Sequence, residues 1–171
     1  MKQVRKLVIV AVVLLSGFST TGAYAQKIGY VSMQELVTGM PEMKHVQDSL
    51  QSMQKELQTQ SQVMQQEYTS KLQDYDKGSK TWSDAVKQVK TSELQDLSNR
   101  IQSFNQAAQE KMQTTQSALL QPVVEKAQRA VGEIAKEKGF AYVIDNSADI
   151  LVFKPAGDDI TTAAKAKLGV K

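Results

Sequence analysis

The chain has 171 residues, 23% of them charged, a formal charge of +3, and no cysteine. The lack of cysteine removes disulfides and thiolate metal ligands, and a single histidine, His45, excludes any site needing two imidazoles. The cations Lys2, Arg5 and Lys6 sit in the first 25 residues with no acid beside them, so the rest of the chain is charge-balanced. No global basic character favours a nucleic-acid or anionic-lipid partner.

Residues 1–25 read as a secretory signal peptide: cations, an apolar run from Leu7 to Leu15, then Ala23-Tyr24-Ala25, which suits cleavage after Ala25. In helix that apolar run rises about 14 Å, well short of the ~30 Å hydrocarbon core of a bilayer. The mature chain then starts at Gln26 and is secreted.

KIGYVS at 27–32 alternates as a short strand does, with β-branched and aromatic residues dominating its apolar content. MQELVTG follows as a short helix. Pro41 suits the first turn of a helix, where its missing N–H has no intrahelical partner, and Glu42 complements the dipole. From there to Asp76 no Pro or Gly occurs. Met43, Val46, Leu50, Met53, Leu57, Met64, Tyr68, Leu72 and Tyr75 form one narrow stripe, with spacings that drift from seven toward eleven residues per repeat.

Lys77-Gly78-Ser79-Lys80 interrupts the pattern, and Gly78 can supply a left-handed helix end. Thr81 with Asp84 reads as a capping-box variant opening a second helix. Its stripe runs through Val86, Val89, Leu94, Leu97, Ile101, Phe104, Ala108, Met112 and Leu119. Pro122 removes the bond to the Ala118 carbonyl, which predicts a kink or break. The two arms span about 54 Å and about 58 Å as helix, so antiparallel pairing brings Pro41 and Pro122 to one end.

Beyond Pro122, residues 123–139 form a more apolar helix stopped at Gly139. FAYVID (140–145), a turn at Asn146-Ser147 and ILVF (150–153) read as a strand hairpin. Asp158 or Asp159 caps a closing helix from Thr161 to Leu168. The fold class is mainly α with a small β body: a long antiparallel helical hairpin, a coiled-coil-like arm at 41–121 turning near 77–82, inserted in a body built from 26–40 and 122–171.

Phosphate-cradling motifs are absent, which leaves no visible seat for ATP, and no catalytic, cofactor or metal constellation stands out. His45 reads as a solvated or partly packed helix residue. Trp82 has two readings from sequence. With Lys77, Lys80, Lys87 and Lys90 it forms an amphipathic, cationic tip that can contact an unfolded chain; equally, its ring can pin the turn to the helices. Methionines 43, 53, 64 and 112 fall on the arm stripes, where packing comes first.

The order of elements, together with KIGYVSMQELVTGMPEMK, LLQPVVEKAQRAVGEIAKEKGFAYVIDNS and DDIT, resembles the Skp/OmpH family of periplasmic chaperones. The resemblance spans essentially the whole mature chain, though along the glutamine-rich arms it is one of pattern. It implies a homotrimer with an oligomerisation body that includes Ile28, Tyr30, Val31, Val143, Ile144, Leu151 and Val152. It also implies an ATP-independent holdase, not an enzyme, that binds unfolded outer-membrane proteins in transit. The balanced charge departs from the basic surface of the best-known members and leaves membrane contact open. An envelope adaptor or stalk using the hairpin for protein–protein contacts is the alternative.

Overall fold

The computed structural model describes residues 26–170; the expected signal peptide, with Ala23 and Ala25, lies outside them. In chain order the elements are β1 (Ile28–Val31), α1 (Met33–Gly39), α2 (Glu42–Gly78), α3 (Asp84–Glu137), β2 (Tyr142–Asp145), a 3-10 turn (Ala156–Asp158) and α4 (Thr161–Leu168). Two helices of 37 and 54 residues dominate beside one two-stranded sheet, so the mainly α fold with a small β body is the observed class.

The helices α2 and α3 run antiparallel. Glu42 meets Lys126, Ser61 meets Asn105 and Lys71 meets Glu93, so numbers that rise along one helix fall along the other. The half-buried and buried positions keep an eleven-residue period. On α3 these are Leu97, Ala108, Leu119 and Ala130, interleaved with Ile101, Met112, Val123 and Ile134. On α2, Val46, Leu57 and Tyr68 alternate with Met53, Met64 and Tyr75. Eleven residues in three turns is 3.67 per turn, close to the relaxed helix, so neither helix must wind tightly to keep its stripe facing the other. In the far two thirds of the arm only Leu97 and Ile101 are fully buried, which makes the seam one side chain thick.

Near the tip the expected stripe is off by one position. Leu72, Val86 and Val89 face solvent, at 39%, 40% and 57% exposure, while Lys71, Lys87 and Lys90 are half-buried on the seam. Lysine stems are long enough to pack while their ammonium groups reach Glu93 and Asp84. Two expectations about the turn also change. Gly78 is the last residue of α2 and is not among the residues with positive φ. The cap of α3 is Ser83, whose Oγ accepts from the Val86 N–H, whereas Thr81 donates back to the Gly78 carbonyl.

At Pro122 the predicted break does not occur: α3 is continuous from Asp84 to Glu137. An interior proline costs about 3 kcal/mol in a helix. Here Pro122 and Ala118 both face solvent, so water can take the carbonyl that loses its partner. Immediately afterwards Val123, Ala127, Ala130, Val131 and Ile134 are buried, and that packing keeps the segment helical.

The body forms one core from Val31, Leu36, Met40, Phe140, Ile160, Ala164 and Leu168 packed on this end of α3. Strands β1 and β2 pair in parallel, Ile28 opposite Tyr142 and Val31 opposite Asp145. A parallel pair needs a crossover, and here the whole hairpin is that crossover. The amides opening α1 are satisfied from distant segments: Ser32 N–H donates to Thr161 Oγ1, Met33 N–H to Asp145 Oδ1 and Gln34 N–H to Ser147 Oγ. Gly139, at φ 69°, ends α3 in a Schellman motif, with Phe140 N–H reaching Ala135 O and Gly139 N–H reaching Lys136 O.

The expected strand at 150–153 is absent. After β2 the Asn146 side chain accepts the Leu151 N–H at 3.0 Å and donates to Asp149, which adopts φ 51° and pairs with Lys154. The loop is closed on itself, so it leaves the sheet instead of returning along β2. The second neighbour of β1 is Asp159, through a single parallel bridge. Asp159 also accepts the Thr161 N–H at 2.8 Å and so serves the start of α4.

Candidate functional site

At the arm tip, Trp82 lies against Gly78 and meets the Tyr75 ring edge-on, with centroids 5.9 Å apart at 75°. The pinning role is therefore structural fact. Beside it lies a groove of about 500 Å³ that brings Lys77, Trp82 and Lys90 together with Lys71, Asp74 and Glu93. Lys90 is held by Glu93 at 3.0 Å and Lys87 by Asp84 at 3.4 Å. The hydrogen bond from Lys90 in turn keeps the Glu93 carboxyl below its usual range. Lys80 lies outside the groove, exposed on the turn. Of the five tip residues, Lys77 and Lys80 present their charge to solvent without an ion pair among the described residues.

The expected oligomerisation residues fall into three groups. Val31 is 2% exposed and lies in the core of the body. Tyr30, Val143 and Leu151 are half-buried. Ile28, Ile144 and Val152 are exposed, and with Tyr142, Ile150 and Phe153 they leave the sheet and its following loop apolar toward solvent. Nearby, a polar pocket of about 310 Å³ is lined by Tyr30, Asp149, Lys154, Asp159 and Lys165. Its lysines are closed into pairs, Lys154 with Asp149 and Lys165 with Glu35. For Asp145 the largest influence is burial, which raises its pKa; the bonds from the Ser147 hydroxyl and N–H and from Met33 outweigh it and leave the carboxyl lowered.

A third feature was missed by sequence reasoning. Where the small residues Ser61 and Ala108 thin the seam, a groove of about 720 Å³ opens between α2 and α3, floored by Leu57, Phe104 and Met112 and rimmed by glutamines. The signal was available: glutamines recur at four-residue steps along α2, and both small residues occupy seam positions. His45 is exposed on α2, and no group of three potential metal ligands occurs among the described residues.

The structure is thus a thin two-helix arm with exposed faces, rooted in a small α/β body. The sequence matches the family described as "Outer membrane protein (OmpH-like)" over residues 27–168. The chain belongs to this family, Skp/OmpH. It is also similar to the crystal structure of a Caulobacter crescentus protein described as an outer membrane chaperone (OmpH-like), with a TM-score of 0.73 at 17% identity over 88% of each chain. No curated protein sequence matches it significantly.

Proposed function

We propose that this chain is a periplasmic holding chaperone that binds unfolded outer-membrane proteins without ATP and keeps them from aggregating. It acts, on this reading, as a homotrimer after removal of residues 1–25. The arm at 41–121 contacts clients, and the body of 26–40 and 122–171 joins subunits. The observation that carries the reading is the arm itself: two paired helices of which little is buried, offering long amphipathic faces and no enclosed pocket. Many weak contacts over such faces suit clients of varied sequence, and release needs only that folding elsewhere compete. Lys77 and Lys80 at the tip add cations to that surface. Membership of the Skp/OmpH family and the likeness to the Caulobacter chaperone support the same reading and its non-enzymatic character.

The adaptor alternative has less support. A stalk calls for an uninterrupted apolar seam, and this one is broken by the Ser61–Asn105 hydrogen bond and the lysine–glutamate layer around Glu93. The test is to dilute a urea-unfolded outer-membrane β-barrel protein into the purified mature chain without nucleotide, following turbidity and complex mass. Suppressed turbidity with a soluble complex is expected. Unchanged aggregation with no complex overturns the proposal.

A further inference from the structure

Three neighbouring grooves on the arm merge into one shallow trough. The mid-arm groove shares Gln58 and Ser61 with the next along α2, which shares Gln65 and Gln66 with a third ending at Gln73. From Gln54 to Gln73 the trough follows about 28 Å of helix. Not one of its lining residues is charged, in a chain where 23% of residues are. The tip groove and the body pocket, by contrast, each hold lysines and carboxylates. Gln54, Gln58, Gln62 and Gln66 stand at successive four-residue steps on one row of α2. Among the described residues no hydrogen bond engages their side-chain amides.

We propose that this trough docks the main chain of an extended, uncharged segment of an unfolded polypeptide. The inference deepens the holding-chaperone reading and rests on it. A carboxamide offers N–H donors and an acceptor oxygen, the same pair of groups as a peptide unit, so it can bond a main chain of any sequence in either direction. Amides four residues apart on a helix lie about 6 Å apart along the axis, and an extended chain repeats its edge groups every ~6.7 Å. A flexible glutamine absorbs that mismatch over several steps. At the root end Leu57, Phe104 and Met112 give alternate client side chains an apolar floor. The absence of charge selects the occupant: a nucleic acid or anionic lipid finds no cation in the trough, and a neutral segment strands no charge against it.

The test uses the mature protein and a fluorescently labelled, urea-unfolded outer-membrane β-barrel protein. Gln58→Glu, Gln62→Glu and Gln66→Glu together place three like charges in the trough at nearly unchanged helix propensity. We expect complex formation to weaken about tenfold in this variant. Wild-type affinity should change less than about twofold between about 0.1 M and 1 M salt, where the Debye length falls from ~10 Å to ~3 Å. A triple variant that binds like the wild type overturns the trough and leaves the holding activity standing. A wild type that captures no client overturns both. Should the triple variant lose helicity, a photo-crosslinker decides: placed at Gln62 it must label the client more heavily than at Gln60, which is exposed about 200° around the same helix. Equal labelling removes the trough.

Discussion

The Trp82 ring occupies the place where Gly78 would carry a side chain: a Cβ there would clash with Trp82 Cζ2. Gly78 is thus required for space. Replacing it with alanine favours the helix by up to about 1 kcal/mol but drives the ring from its seat against Tyr75, and we expect the displaced packing to win by about 1 kcal/mol. Because Trp82 is the only tryptophan, its emission reports directly on the tip. Gly78→Ala should red-shift that emission and lower the melting temperature. An unshifted spectrum would show that the ring accommodates the methyl group.

Lys126 ties α3 to the first turn of α2 through Glu42, and its hydrogen bond, the largest influence there, holds the Glu42 carboxyl below its ordinary value of 4.5. A lowered folded pKa means that the pair stabilises the fold fully above the unfolded value and loses that contribution as pH falls through the folded one. Both side chains are more than a third exposed, so the effect is small and weakened by salt. Melting curves of wild type and Glu42→Gln should separate at neutral pH and converge as the pH falls below 4.5 and through the lowered folded value. A gap that widens on acidification would contradict the assignment.

Pro122 predicts a gain of stability on substitution. Pro122→Ala restores an N–H able to bond the Ala118 carbonyl in a helix that already continues through the site. Against the helix cost of ~3 kcal/mol stands the lower unfolded-state entropy that proline confers, so a net gain of about 1–2 kcal/mol is expected from denaturant unfolding at unchanged m. A loss would mean that α3 needs the proline to lie correctly on the body core.

Much of this architecture was legible because it is written in local periodicity. The arm's length, its turn after Gly78, the stop at Gly139 and the service of Asp159 to α4 each depend on residues within a few positions of one another. What sequence misplaced depends on distant partners. The break expected at Pro122 ignores the body core waiting for Val123 and Ala127. The stripe slips near the tip because Glu93 draws Lys71 and Lys90 onto the seam, leaving Leu72 and Val89 outside. ILVF has the composition of a strand, but the Asn146 side chain takes the Leu151 N–H and turns the loop away. The amide trough escaped notice because glutamine carries no chemical signature; its meaning comes from the uncharged surface around it.

The same loop gives a prediction about assembly. Val152 and Phe153 are 104% and 85% exposed, and Tyr142 and Ile144 on the neighbouring strand also face solvent. Within one chain Val152 and Phe153 bury almost nothing, so Val152→Asp/Phe153→Asp should change the stability of an isolated subunit by no more than about 0.5 kcal/mol per site. If the body joins three copies, the same pair of charges falls into a desolvated contact, where an unpaired carboxylate costs several kcal/mol. Light scattering after size exclusion should then report a trimer for the wild type and a monomer for the double variant, with helical content retained. A wild type that is monomeric at the concentrations of the client assay, or a double variant that stays trimeric, would require subunits to meet through some other surface.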